Sequence, residues 1–200
     1  MTADQEDALL ELFNVGVGLA AASLSVIVKE EIWMSVPRIE VLDAAEQGDR
    51  DLVFGQNRIC AVSQHFSGPF DADAMLIFPE DKTMLIVQKM LGDQVAAEDL
   101  SEMERDALSE IGNIILNTCV GSIGDTFQQK FRSTAPVYSV GSTDEVVFNS
   151  ASDENVVLVL HIEFILKKDQ IPGYLVLLLN VHSYRRLLDT VDGLLARYST

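Results

Sequence analysis

Asp7, Glu11 and Asn14 stand at positions i, i+4 and i+7, and Asp106, Glu110 and Asn113 repeat the same three residue types at the same spacing 99 residues later. At about 100° per residue each trio falls within roughly 60° of one helical face. The types suit different tasks. A carboxamide can accept one hydrogen bond and donate another. It does not ionise in the usual range, so its role is positional and not that of a general base. The carboxylate one turn earlier is left for a separate, charged contact. One such trio alone is an ordinary solvated helix face. A second copy, with a proline 23 residues after each asparagine (Pro37 and Pro136), makes a paired site the better reading.

Two long helices must present these trios. Residues 4–30 read as the first, with Asp4 and Asp7 near its start, where negative charge suits the helix dipole. Leu9, Leu12, Val15, Leu19, Ala22 and Val26 recur at helical spacing and are expected to form its buried stripe. Gly16 and Gly18, with Ala20 to Ala22, would let another backbone approach. Residues 32–44, 52–66 and 70–78 read as strands, with Asp43 to Asp51 a polar turn and Ser67-Gly68-Pro69 a break. Residues 80–92 read as a short helix ending at Gly92, and 93–100 as an acidic connector. The order then restarts. Residues 101–130 read as a helix with Ser101 as cap and Glu104 completing a capping box. Residues 134–150 hold Pro136 and a strand, 155–166 and 173–181 are apolar strands, and 182–198 is a closing helix.

The match between halves is tightest around the trios, where positions 7–14 and 106–113 share five of eight residues. Such internal similarity points to repeated architecture. The expected fold is α/β (α+β): two pseudo-symmetric α-β-β-β-α halves sharing one mostly antiparallel sheet, with the two long helices side by side on one face. One domain is expected over residues 1–200, its halves at about 1–99 and 100–200.

Composition narrows the function classes. With 48% apolar and 22% charged residues the chain should fold as an ordinary globular protein. Its net charge of −17 disfavours nucleic acid and anionic membrane surfaces. Acidic residues at the amino terminus argue against a signal peptide, and no apolar run is expected to reach the ~18 residues of a membrane helix. A cytoplasmic location is therefore expected. Cys60 and Cys119 lack C-x-x-C spacing and sit in apolar settings, so both are expected to be buried free thiols. His65, His161 and His182 are scattered without ligand-like spacing, and no metal site is expected. P-loop, nucleophile-elbow and dinucleotide motifs are absent from the sequence.

Both copies fit Asp/Ser-x3-Glu-x2-Asn-x22-Pro: Asp7, Glu11, Asn14, Pro37, then Asp106, Glu110, Asn113, Pro136. This pattern resembles the signature of the CheC/CheX/FliY phosphatases of chemotaxis, and two copies without an extra domain resemble the two-site CheC type. Met34-Ser35-Val36-Pro37 and Glu110-Ile111-Gly112-Asn113-Ile114 also match the family's flanking words. The resemblance implies hydrolysis of the phosphoaspartate of a CheY-like response regulator. Asn14 and Asn113 would orient the water, and Glu11 and Glu110 would pair with the receiver's active-site lysine. Asp7 and Asp106 would extend that contact or help the helices start, and Pro37 and Pro136 would shape the adjoining chain. Magnesium would come with the receiver, so this chain would bind no cofactor itself. The receptor deamidase CheD is a second partner the family suggests, and an adaptor that binds receivers or CheD with weak or no catalysis is the alternative function. Two fused halves point to a monomer. The first copy departs from the pattern, with Leu12-Phe13-Asn14 in place of Ile-Gly-Asn and Leu19 where an asparagine often follows. The second copy is therefore expected to be the more active.

Overall fold

The Thr2 side chain accepts from the Gln5 backbone N–H, and the Thr2 N–H donates to Gln5 Oε1 at 2.8 Å, a capping box that starts helix α1 (Ala3–Val28). In the computed structural model of the chain, residues 1–29, 31–44, 58–91, 100–148, 155–166 and 169–198 are described. After α1 come β1 (Ile32–Asp43), β2 (Ile59–Ser67), β3 (Ala72–Pro79) and α2 (Glu80–Leu91). The second half contributes α3 (Leu100–Thr126), β4 (Arg132–Ser133), β5 (Val137–Gly141), a π-helical turn (Asp144–Phe148), β6 (Asn155–Leu166), β7 (Asp169–Asn180) and α4 (Val181–Tyr198). The expected cap at Ser101 is not the start of α3, because the helix already includes Leu100, and the Glu104 carboxylate accepts from the Thr83 hydroxyl instead. The strand expected within 134–150 is β5, with the short β4 just before that range and the π-helical turn after it. Gly92, the connector at 93–99 and most of the turn after Asp43 lie outside the described residues.

The strands form one sheet in the order β1-β6-β7-β3-β2-β4, with β5 also on β2, and every pairing is antiparallel. The hairpins β2-β3 and β6-β7 meet through β3 and β7 at the centre. Each half sends its first strand across: β1 pairs with β6 of the second half, and β5 pairs with β2 of the first. The sheet is thus the antiparallel, pseudo-symmetric one expected, but its halves are interlaced. Its central strands are buried on both faces. Leu158, Leu160, Leu175 and Leu177 join the helix-side core, while Val157, Val159, Val176 and Leu178 join a second cluster closed by Val147 and Phe148 of the π-turn. Burial on both sides explains why these strands read as continuous apolar runs.

The long helices lie together on one face and run in opposite directions, with Gly16 of α1 against Cys119 of α3. A Cβ at position 16 would come within 2.9 Å of the Cys119 Cα. Gly16 therefore does what its composition promised, whereas Gly18 has nothing within 4 Å. The buried stripe of α1 differs from the expected one. Leu9, Leu12, Phe13, Val17, Ala20, Ala21 and Leu24 face inward, while Val15, Leu19 and Val26 are 48%, 51% and 77% exposed. Small residues face α3 because the helices approach closely, so the larger apolar residues fall outside. For the same reason α1 carries an 18-residue window of mean hydropathy 1.8, enough by length and composition to cross a bilayer, contrary to the sequence expectation; 39% of that window is buried in the fold.

On α3 the close contact is with the sheet. A Cβ on Gly112 would sit 2.5 Å from the Val62 side chain of β2. Gly112→Ala is expected to cost about 1–3 kcal/mol in overpacking, partly offset by ~1 kcal/mol of helix propensity. A lower urea midpoint with an unchanged slope would register that net loss.

Candidate functional site

The inward residues of α3 (Leu108, Ile111, Ile115, Leu116 and Cys119) are fully or almost fully buried and fix its rotation on the sheet. That rotation leaves Asp106 and Glu110 exposed and Asn113 half-buried. On α1, Leu9, Leu12 and Phe13 do the same, leaving Asp7 and Glu11 exposed and Asn14 half-buried. Neither Glu11 nor Glu110 has a hydrogen-bond or ion-pair partner among the described residues, and the same holds for Asp7 and Asp106. A carboxylate in that state is ready for a cation brought by another molecule.

The two asparagines are engaged differently. β1 and β6 lose register between Ser35 and Arg38, so Val36 and Pro37 have no partners in the ladder. A proline without an N–H fits such a break. The freed backbone groups of Val36 are taken by Asn14: Val36 N donates to Asn14 Oδ1 at 2.8 Å, and Asn14 Nδ2 donates to Val36 O at 3.2 Å. Both ends of this carboxamide are thus used on the protein's own backbone.

In the second half Pro136 lies between β4 and β5, again next to a gap in the ladder. Asn113 does not patch this gap itself. Gln64 of β2 does so, donating from Nε2 to Thr134 O at 2.9 Å and to Asn113 Oδ1 at 3.2 Å. Asn117, one turn after Asn113, donates to the same Oδ1 at 2.9 Å. The Asn113 NH2 has no partner among the described residues. Sequence reasoning did not single out Gln64 or Asn117. Their signals were present: Gln64 shares the inward face of β2 with Val62 and Phe66, and Asn117 is four residues from Asn113. By the 99-residue shift the counterpart of Asn117 is Gly18, not Leu19.

The position before each asparagine also differs. Gly112 lets α3 rest on Val62, whereas Phe13 places a completely buried ring at the matching point of α1. A groove of about 390 Å³ lies beside the second pair, between the end of α1 (Leu24, Ile27, Val28) and the start of α3 (Met103, Asp106, Glu110). Its floor is apolar and its rim carries the two carboxylates.

Other chemistries find little support. Both cysteines are free and buried, and burial pushes the Cys119 thiol up to about 12 and raises that of Cys60 as well. Neither offers a thiolate at neutral pH. His65 pairs with Asp73 at 2.8 Å on the surface, and His161 lies between Arg38 and Glu40, far in sequence from both trios. Among the described residues no group of three or more His, Cys, Asp or Glu could hold a metal ion.

No protein-family model matches the chain. It is 24% identical over 149 residues to the CheY-P phosphatase CheC of Bacillus subtilis, covering 72% of this chain and 70% of that protein. It is 21% identical over 134 residues to the flagellar motor switch phosphatase FliY of the same organism, covering 66% of this chain but only 34% of FliY. Among solved structures, Thermotoga maritima FliY superposes with a TM-score of 0.79 at 17% identity, over 96% of this chain and 98% of that one. FliM from a FliM–SpeE complex of H. pylori gives 0.68 at 12% identity, over 96% and 97%. CheX from the CheX–CheY–BeF3–Mg2+ complex of Borrelia burgdorferi gives 0.52 at 17% identity, over 84% and 98%. At these identities the superpositions are likenesses of fold. In sequence and in fold the chain is thus similar to proteins of the CheC type.

Proposed function

We propose that the chain hydrolyses the phosphoaspartate of a CheY-like receiver domain, using Glu110 and Asn113 as its main site and Glu11 and Asn14 as a second. One observation carries this reading: α3 pairs an exposed, unpartnered carboxylate with a carboxamide whose NH2 is unengaged, one turn further on. A relative named as a CheY-P phosphatase and a neighbour captured with CheY support the same reaction. The fold by itself does not decide, since FliM shares it; the support comes from the site residues.

In this mechanism the carboxylate meets the receiver's lysine and fixes the docking register. The asparagine then lies over the acyl phosphate. A water oxygen bonds to phosphorus in line with the aspartyl oxygen; that P–O bond breaks, and the carboxylate leaves with the bonding pair. The water's proton passes to the released phosphate or to solvent. The leaving group is already good, so the work is positional. The magnesium would be the receiver's, held in its own acidic pocket, and offsets phosphoryl charge there. Such a partner sets the chain in the cytoplasm, and the fused halves suit a monomer.

The groove beside Glu110 favours a second reading, an adaptor that binds a receiver or CheD without rapid turnover. A time course separates the two. Substoichiometric protein added to a phosphorylated receiver is expected to speed phosphate release through many turnovers. Stable complex formation with no acceleration would leave only the adaptor.

A further inference from the structure

The carboxamide of Asn113 is gripped by its oxygen alone, and the grip fixes which end faces out. Gln64 Nε2 bonds Thr134 O as well as Asn113 Oδ1. Asn117 Nδ2 bonds the backbone O of Asn113 at 2.8 Å as well as its Oδ1. Backbone carbonyls only accept, so the gripping atoms of Gln64 and Asn117 must be their nitrogens. Gln64 Oε1 also lies 3.2 Å from Asn117 Nδ2, whose two protons are shared among its three acceptors, and Ser133 Oγ donates to Asn117 Oδ1 at 2.8 Å. Gln64 is 3% exposed, so its bonds have no water to replace them. Turning the Asn113 amide over would set its NH2 against two donors. Both lone pairs of its oxygen are spent, and Nδ2 is the atom left for a ligand.

We propose that Gln64 and Asn117 are positioning residues that lock Asn113 with its NH2 outward, so that the second site acts on the docked phosphoryl group as a hydrogen-bond donor. This rests on the phosphatase reading above. The first half lacks the device. Gly18 stands where Asn117 would be. Ser63 pairs with Val137 just after Pro136, and His161 pairs with Arg38 just after Pro37, so Ile162 stands where Gln64 would be. Ile162 is 2% exposed and has no side-chain donor. Asn14, without a clamp, falls back on Val36. The same residue type is thus a backbone patch in one half and a presented donor in the other.

The test uses the full chain with a phosphorylated receiver. Gln64→Met keeps volume and removes both donors. It is expected to lower kcat about tenfold, with KM within about twofold of wild type. In an Asn113→Ala background it is expected to add nothing, because the group it positions is gone. Asn117→Asp, on the half-buried side of α3, should behave in the same way and serves if Gln64→Met does not fold by circular dichroism. Wild-type kcat in both variants, or an equal fold loss with Asn113→Ala already present, would overturn the clamp while leaving the phosphatase intact. A wild-type protein that does not accelerate dephosphorylation brings both proposals down.

Discussion

Asn113→Ala is expected to slow receiver dephosphorylation about 10- to 100-fold, the usual consequence of losing one hydrogen bond to a charged group in the transition state. Asn14→Ala should cost less. Its carboxamide is already committed to Val36, and freeing it requires leaving the Val36 N–H and C=O without partners. The same bonds predict a different side effect: Asn14→Ala should lower the unfolding midpoint more than Asn113→Ala does, since it strips a backbone break of its satisfaction. The double variant should bind the receiver and leave its intrinsic rate unchanged. Paired measurements of kcat and urea midpoint on the three variants decide the matter. A larger kinetic loss at position 14 would reverse the ranking of the two sites, and full activity in the double variant would remove the mechanism.

Reversing the charge of Glu110 should act on binding. Glu110→Lys places like charges together at the proposed contact with the receiver's lysine, and a rise in KM of at least about tenfold is expected with kcat changed far less. Stability should hardly move, because Glu110 is exposed and has no partner among the described residues. Glu11→Lys should give a weaker version of the same effect. Added salt should narrow the gap between wild type and variant. A fall in kcat with KM unchanged would mean that the carboxylate takes part in the chemistry, and the docking role would be withdrawn.

The parts of this molecule that were legible in the sequence are those written locally. Helix and strand order followed from periodicity, and the trios followed from exact recurrence of residue types. The inward face of α1 was misread because periodicity weights bulk. Val15, Leu19 and Val26 looked like core, yet a neighbouring helix that comes within contact of Gly16 selects Val17, Ala20 and Ala21 instead. Gln64 went unnoticed because a single amide in an apolar strand has no pattern of its own; it gains meaning only when β2 is laid beneath α3 and next to Thr134. The difference between the two asparagines was only hinted at, by Phe13 against Gly112. What decides it is which groups each proline-containing break leaves without partners, and that depends on strand register, a property of distant residues.

The exchange of first strands between the halves has a consequence for ancestry. A lone copy of the repeat could not finish its own sheet, because its opening strand belongs beside the hairpin of another copy. An ancestor with one copy would have had to associate with itself to fold in this way, and gene duplication with fusion would then have made the association permanent. Within one polypeptide the two helix faces can then differ, with Asn14 bonded to the Val36 backbone and Asn113 held by its oxygen alone.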